Sequence, residues 1–288
     1  MEAPAATTAA YRDTLLLRAS TLPPFSPILN RLLASLAKED VQFSDISELI
    51  EKDTVLAGNL LRLVNSALYG LAGTVNSVRH ALAIVGLEKT RNMVLTMSFA
   101  RMWRRDVAVA GWSPARFNLH STATAILADL LAQHVPTEYA EGAFTAGLFH
   151  DFGQFILATV LPREFGGLRS CLMEECANPE ECERETFGIT HPELAAAALE
   201  GWHLPEAIVR AVRLHHSPEP PNGGPLPLSR AIHAANECVN RLGINVLASH
   251  PERGRPPDEV FERLGIADRS ANLLDEFKSE LDLVKAFF

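Results

Sequence analysis

The sequence predicts an all-α fold, in which an N-terminal helical bundle packs on a second helical domain that ends in a C-terminal helix. Three observations predict it. Apolar residues recur at helical spacing, helix-capping residues separate the apolar runs, and the first third of the chain shows no alternating pattern strong enough for a strand. At 288 residues, the chain is long enough for one large or two ordinary domains.

Composition excludes several classes of function. Charged residues at 21% and apolar residues at 47% are typical of a globular protein. The formal charge of -9 argues against broad attraction to nucleic acid or to an anionic membrane. The sequence shows no signal-peptide pattern and no apolar run of about 18 residues, which predicts a cytoplasmic protein with no membrane segment. Its cysteines lack C-x-x-C spacing and are predicted to be reduced: Cys171, Cys176, Cys182 and Cys238.

Periodicity divides the chain into three parts. Residues 1–13, rich in Ala and Thr, predict a flexible tail because they offer nothing periodic to bury. Residues 14–108 form the N-terminal helical subdomain. Residues 109–288 form the second helical subdomain with its C-terminal helix. The boundary falls where apolar periodicity is lost, between Arg101 and Gly111.

Helices of the N-terminal subdomain follow from capping signals. The predicted starts and spans are a proline-punctuated start at Leu22 to Pro27, a short helix from Ser44 or Asp45, a helix from Asp53 to Gly70, and helices at 76–86 and 87–103. Asp53 suits an N-cap and Gly70 a C-cap. Asn65, inside the third of these helices, is predicted to point to solvent or to bond to a neighbouring turn.

The second subdomain places histidines at helix ends and on inward faces. A helix from Ser113 to about Gln133 carries His120 on its apolar side. An apolar helix ends at His150 and Asp151. The other predicted features are a capping box at Thr190 to Glu193 that places His191 at a helix start, a helix from Leu204 that ends in His215 and His216, a proline-rich loop at 217–227 that suggests a lip or lid, a helix at 228–242 and an amphipathic helix at 270–288.

The adjacent His150 and Asp151 allow two interpretations. An imidazole and a carboxylate at a helix end can reach the same cation. Alternatively, the two side chains cap the last turn and bind each other. The other histidines favour a shared site, because His120, His191, His215 and His216 also fall at helix starts, ends or inward faces of the same domain.

The pattern of His120, His150-Asp151, His191 and His215-His216 resembles the HD superfamily of metal-dependent phosphohydrolases. The front half looks like the HDOD family, through LPPF at 22–25, DTVLAGNLLRLVNSALYG at 53–70 and SVRHALAIVG at 77–86. The resemblance covers roughly residues 14–245. It implies an HD-like all-helical second domain and a signalling or regulatory module without established catalysis.

By this resemblance, the metal-ligand positions are His120, His150, Asp151, His191, His215, His216 and, at the place of a late aspartate ligand, Asn236. The implied cofactor is a divalent transition metal, Fe, Mn or Zn, or none. Asp151 is the candidate catalytic residue. Arg116 and Gln154 are candidate ligand-binding residues, standing where some relatives carry an acidic residue and a lysine. The amide of Asn236 brings no charge to a cation, so the site is short of carboxylates for a two-metal centre.

Three hypotheses follow. The first is a non-catalytic regulatory module that binds other signalling proteins or a nucleotide. The second is a metal-dependent phosphohydrolase acting on a nucleotide or a cyclic dinucleotide, with Arg116 or Arg79 assisting the phosphate. The third is a histidine cluster that serves as a hydrogen-bonded polar core, with a single structural metal or none.

Overall fold

The computed structural model describes residues 5–22, 43–66, 69, 73–102, 109, 111–172, 178–247 and 254–285. Within these ranges the protein is all-α, with two isolated bridges and no strand, as predicted. The helices are α1 Ala5–Ser20, α2 Phe43–Glu51, α3 Thr54–Val64, α4 Val78–Val85, α5 Leu87–Met102, α6 Pro114–His134, α7 Ala143–Phe149, α8 Phe152–Val160, α9 Pro162–Leu172, α10 Pro179–Phe187, α11 His191–Gly201, α12 Glu206–Arg213, α13 Leu228–Arg241, α14 Pro257–Arg263 and α15 Ser270–Lys285.

Helices α2 to α5 form the N-terminal bundle. The predicted N-cap of α3 is confirmed, since Asp53 Oδ1 accepts from the N–H groups of Val55 and Leu56 at 3.0 Å. The helix ends at Val64, before the predicted Gly70, which lies outside the described residues, as does most of the predicted start at residues 22–27. Asn65 explains the early end, because its side-chain amide bonds to both backbone groups of Val75 at 2.7 Å.

Helix α1 contradicts the predicted tail. Residues 5–13, expected to be flexible, are helical, and this part of the prediction is wrong. Leu15 and Ala19 of α1 are buried, and the helix contacts α8, α10 and α11 of the second half. An N-terminal helix is ordered by such packing even where its own sequence shows weak periodicity. The boundary between residues 108 and 109 stays a prediction.

Helix α6 is the centre of the second half and contacts α5, α7, α13 and α15. Its start is the predicted one, since Ser113 Oγ accepts from the N–H of Arg116 at 3.2 Å. Helices α6 and α7 approach closely at Gly147, where a Cβ would lie 2.7 Å from the Cα of Ala125. This contact places the end of α7 beside the middle of α6.

Helices α9, α10 and α14 were not predicted, whereas the amphipathic C-terminal helix α15 is confirmed. Leu273, Phe277 and Leu281 of α15 are buried, and the helix packs on α6 and α14. Cys182 of α10 is disulfide-bonded, so the prediction of reduced cysteines is wrong for this residue; Cys238 is free and buried.

None of the described helices by itself combines the length and the apolar character needed to cross a bilayer. One bent pair of helical segments, residues 140–160 and 162–168, has the required length and apolar character only when the two are taken together. The bend between them is 119°. The apolar residues of α7 and, apart from Val160, those of α8 are buried against neighbouring helices.

Candidate metal centre

A cavity of about 250 Å³ opens among α8, α10, α11, α13 and the segment that follows α13. The residues that line it are Asp151, Gln154, Phe165, Pro179, Glu183, His191, His216, His233, Asn236, Glu237, Asn240, Asn245, Val246, Leu247 and Gly254. The proline-rich loop at 217–227 lines no part of it. That loop pairs with residues 136–138, through bonds of 2.7 and 2.9 Å made by Leu226. The predicted lid is therefore wrong.

Asp151 lies at the centre of the histidines, with 3% of its surface exposed. Its Oδ2 is 3.3 Å from His120 Nε2 and 3.4 Å from His150 Nε2. Its Oδ1 is 3.2 Å from His191 Nε2 and 3.6 Å from His215 Nε2. One carboxylate thus faces four imidazoles that come from separate parts of the chain.

The sixth predicted ligand, His216, joins the cluster through His191. The two Nε2 atoms are 3.0 Å apart. The structure therefore brings together the six histidine and aspartate positions expected to bind metal.

Local structure decides where each of these side chains lies. The six positions are His120 inside α6, His150 and Asp151 at the junction of α7 and α8, His191 as the first residue of α11, and His215 and His216 just after α12. The start of α11 is held by the predicted capping box. The N–H of Thr190 donates to Glu193 Oε2 at 2.9 Å, and the N–H of Glu193 donates to Thr190 Oγ1 at 3.4 Å.

Gly153 allows His191 to reach Asp151. A Cβ at position 153 would overlap the backbone carbonyl of His191. Because glycine has no side chain, the first turn of α8 can lie directly against the first residue of α11.

Second partners fix the orientation of the rings. The Nδ1 atoms of His120, His150 and His215 lie 2.7, 2.8 and 2.7 Å from the backbone carbonyls of Ile244, Gly147 and Val212. A carbonyl can only accept, so each Nδ1 carries the proton and donates it. In the neutral ring, Nε2 is then left with a lone pair that points into the cluster.

Glu183 is a residue of this cluster that the sequence motifs did not predict. It lies on α10 with 2% of its surface exposed. Both of its carboxylate oxygens are 2.8 Å from His191 Nδ1, and Oε2 also accepts from the His191 N–H at 2.7 Å. The capping residue Asn178 marks the start of this helix and was the available signal. Asp151 is therefore not the only carboxylate of the site.

The donor set fits a divalent cation. The Nε2 atoms of His120 and His150 are 3.3 Å apart, which sets two lone pairs against each other in the neutral rings. His215 Nε2 is buried and receives no hydrogen bond from any described group, and Asp151 Oδ1 has His191 Nε2 at 3.2 Å as its nearest imidazole nitrogen. A cation would satisfy all of these atoms together.

Two overlapping ligand sets are preformed. Asp151, His191, His215 and His216 make one set, and His120, His150 and Asp151 make the other; in each, the candidate ligand atoms lie within 4.8 Å of one another. Asp151 belongs to both sets, so it would be shared if two ions were bound.

Electrostatics divides the cluster into charged and neutral groups. Burial alone would raise the pKa of Asp151, but His150, His120 and His191 hold that pKa well below its usual value. Burial would lower the pKa of His191, yet Glu183 and Asp151 raise it to about 10.

Burial, with the nearby charge of His150, lowers the pKa of His215 to about 4. Burial and His215 also lower the pKa of His216. Neutral imidazoles are the form that binds a metal.

The remaining predicted site residues lie at the cavity wall or outside it. Asn236 and Gln154 line the cavity, and Asn236 Oδ1 accepts from Asn240 Nδ2 at 2.7 Å. Arg116 does not line the cavity. It is exposed, and its Nη1 donates to the carbonyl of Asn245 at 3.4 Å.

Comparison with known proteins agrees with this architecture. The sequence pattern of the HDOD domain matches residues 22–218. This chain belongs to the HDOD domain family. The resemblance to this family drawn from the sequence motifs is therefore confirmed. The chain is 27% identical over 202 residues to an uncharacterized protein of Treponema pallidum (strain Nichols); the match covers 69% of this chain and 38% of that protein.

Two solved structures are similar to this one in fold. One, from Marinobacter aquaeolei VT8, is provisionally named a signal transduction protein; it has a TM-score of 0.72, 21% identity, and coverage of 98% of this chain and 66% of that one. The other, from Shewanella amazonensis SB2B, is provisionally named a phosphohydrolase; it has a TM-score of 0.71, 20% identity, and coverage of 94% and 98%. At these identities the likeness shows the fold. The chain spans less than two thirds of the Treponema and Marinobacter proteins.

Proposed function

We propose that this HDOD protein is a non-catalytic signalling module that holds a divalent transition metal in its histidine cluster and acts by binding other signalling proteins or a nucleotide. One observation carries the metal proposal. Four imidazole Nε2 atoms lie 3.2 to 3.6 Å from a single buried carboxylate, Asp151, before any ion is added. Such convergence costs desolvation and leaves acceptors unpaired unless a cation joins them.

The chemistry of the ligands limits which metals suit the site. Imidazole-rich sets favour Fe, Mn or Zn over Mg, which prefers oxygen ligands. When bound, such an ion supplies a Lewis acid. His191, His215, His216 and Asp151 would hold it, with His120 and His150 as the second ligand set.

Charge balance supports a regulatory role. Two divalent ions would bring four positive charges, while Asp151 alone faces the cluster and Glu183 binds the far edge of His191. Asn236 brings no charge, and its oxygen is already bonded to Asn240. Gln154 stands where relatives that hydrolyse cyclic dinucleotides carry a lysine. The name of the Marinobacter relative also supports a place in signal transduction.

The cavity wall supports a nucleotide as the ligand. Gln154, Asn236, Asn240 and Asn245 line the cavity with side-chain amides, and the Oδ1 atom of Asn245 is buried without a partner among the described residues. Amides donate and accept together, which matches the mixed edges of a nucleobase.

Elemental analysis of protein purified without a histidine tag tests the metal. We expect at least one equivalent of Fe, Mn or Zn in the wild type and loss of that metal in Asp151→Asn. Asp275→Asn, an exposed substitution on α15, serves as the control. Equal metal contents in the wild type and Asp151→Asn would contradict the proposal.

A hydrolysis assay tests the absence of catalysis. Metal-loaded protein is incubated with cyclic dinucleotides and with nucleoside phosphates, in the presence of Mn²⁺ or Fe²⁺. We expect no turnover above that of Asp151→Asn. Isothermal titration with the same nucleotides then measures binding without reaction.

A metal-dependent phosphohydrolase is the second candidate, acting on a nucleotide or a cyclic dinucleotide. The observation that favours it is the sharing of Asp151 between two ligand sets, together with the additional carboxylate of Glu183. The name of the Shewanella relative points the same way. Arg116, the candidate for phosphate binding, lies outside the cavity but is bonded to the backbone of the cavity residue Asn245. Turnover that disappears in Asp151→Asn would establish this function over the first.

A further inference from the structure

A second, smaller cavity lies between the N-terminal bundle and the C-terminal helix. Its volume is about 60 Å³, and we name it the Asp129 cavity. It is lined by Tyr69, Lys89, Asn92, Met93, Thr96, Ile126, Asp129, Phe144, Glu280, Leu283 and Val284. At roughly 10–15 Å³ for each water-sized group, it has room for about four such groups.

The Asp129 cavity is distinct from the metal centre. Asp129 and His120 both lie on α6, nine positions apart. Nine residues correspond to a rise of about 13 Å and to half a turn beyond two full turns. The two side chains therefore leave α6 on opposite faces.

Several polar side chains of the cavity wall have an acceptor atom that receives no hydrogen bond from a described residue. Both hydrogen bonds to Asp129, from Asn92 Nδ2 and Gln133 Nε2 at 3.2 Å, end on Oδ2. Asn92 Oδ1 and Thr96 Oγ1 are buried and have no partner in the described part of the chain. Asn92 is 7% exposed and Thr96 is 1% exposed, so bulk water does not satisfy them. Because these two atoms line the cavity, a donor bound there could pair with them.

Charges around the cavity favour a cation. The pKa of Asp129 is raised to about 7, and burial is the main cause. The acidic Glu88 and Glu280 also raise it, whereas Arg91 lowers it. Lys89 is engaged with Glu280 at 2.6 Å, where the pair closes part of the rim. A positively charged ligand would complement the Asp129 carboxylate, because these neighbours do not balance its negative charge.

The other walls favour an organic cation over an inorganic one. Five of the lining residues are apolar: Met93, Ile126, Phe144, Leu283 and Val284. A short alkyl chain gains from contact with this surface, whereas a metal ion does not. An ammonium group has three donors, which matches the free acceptors of Asp129, Asn92 and Thr96.

We propose that the Asp129 cavity binds a small aliphatic primary ammonium, with Asp129, Asn92 and Thr96 as hydrogen-bond acceptors and the side chains of α6, α7 and α15 around its alkyl group. The site joins residues of α5, α6, α7 and α15. A bound amine therefore holds the N-terminal bundle against the C-terminal helix.

Calorimetry and thermal unfolding of the full chain with n-propylammonium chloride test the proposal. The assay is run at about pH 8.5, where Asp129 is ionised. We expect saturable binding and a rise in melting temperature. Potassium chloride supplies a positive charge without the alkyl group, and 1-propanol supplies the alkyl group without the charge. We expect neither compound to bind saturably or to raise the melting temperature.

Two variants assign the response to this cavity. Asp129→Asn and Thr96→Val should each weaken propylammonium binding by about tenfold or more, the value of one lost charge-assisted or buried hydrogen bond. Thr90→Val is the matched control, because Thr90 lies on the same helix with an equally buried and unpartnered hydroxyl but does not line the cavity.

Three outcomes would overturn the proposal: no saturable response in the wild type, an equal response to potassium or to 1-propanol, or unchanged affinity in Thr96→Val. Circular dichroism checks that Asp129→Asn is folded. If it is not, Thr96→Val against Thr90→Val decides the question.

Discussion

Two buried aspartates show how neighbouring residues decide the charge of a side chain. Asp151 is surrounded by imidazoles, which hold its pKa well below the usual value despite its burial. Asp129 is bonded to two neutral amides and lies near Glu88 and Glu280, and its pKa is raised to about 7. The same residue type is thus ionised at one site and half protonated near neutral pH at the other.

Glu183 should strengthen His191 as a metal ligand, because its carboxylate accepts a hydrogen bond from Nδ1 and fixes the orientation of the ring. We expect Glu183→Gln to lower the affinity for Zn²⁺ or Mn²⁺ by about tenfold or more, as is typical when such a partner is lost. Competition with a fluorescent chelator measures the affinity. Glu181→Gln, exposed on the same helix, should leave it unchanged; equal affinities in the two variants would show that Glu183 has no such role.

Asp129 should make the free energy of unfolding depend on pH. Its folded pKa, about 7, is raised above its ordinary value of 3.8, so the folded state binds the proton more tightly and stability falls as pH rises from about 4 through 7. Asp129→Asn removes this loss. The free energy of unfolding of the variant minus that of the wild type should therefore increase by on the order of 2 kcal/mol from about pH 5.5 to about pH 8.5.

Urea unfolding of both proteins at the two pH values measures this difference. Histidines that titrate in the same range contribute equally to both proteins and cancel. A difference between wild type and variant that does not change with pH would mean that Asp129 titrates normally.

At the scale of helices, short contacts and caps position the site. The capping box at Thr190 sets where α11 begins, and Gly153 allows α8 to lie against that first turn. The box was predictable from residues 190–193, because a cap is a local signal. The role of Gly153 was not, because it depends on the carbonyl of His191, 38 positions away in the sequence.

Replacing Gly153 by Ala should separate α8 from α11. The added Cβ overlaps the His191 carbonyl, so we expect a loss of about 1–3 kcal/mol in unfolding free energy, the range for an overpacked contact. Metal content should fall as well, since His191 moves from Asp151. Gly167→Ala on α9, where a Cβ meets nothing within 4 Å, is the control. Wild-type stability and metal content in Gly153→Ala would refute this account of the contact.

At the scale of the whole molecule, the candidate centre joins four helical regions. Its ligands come from α6, from the α7 and α8 junction, from α11 and from the residues after α12. An ion bound there would bind the folded chain and not the unfolded one, so it stabilises the fold by mass action.

Removal of the metal should therefore lower the melting temperature. At a free metal concentration of 100 times Kd, the ion contributes about 2.7 kcal/mol. We expect EDTA to destabilise the wild type by this order and to have little effect on Asp151→Asn, as measured by differential scanning fluorimetry. Equal shifts in the two proteins would assign the effect of EDTA to something other than this centre.

Local signals in the sequence determined the helical class, the caps of α3, α6 and α11, and the inward face of His120. These features depend on residues a few positions apart, so periodicity and capping chemistry suffice to predict them. The tertiary structure decided that α1 is ordered, that Glu183 supports His191, that the 217–227 loop is not a lid and that Asp129 faces a cavity of its own. Each of these depends on packing between segments distant in the chain, where burial and long-range contact outweigh local preference.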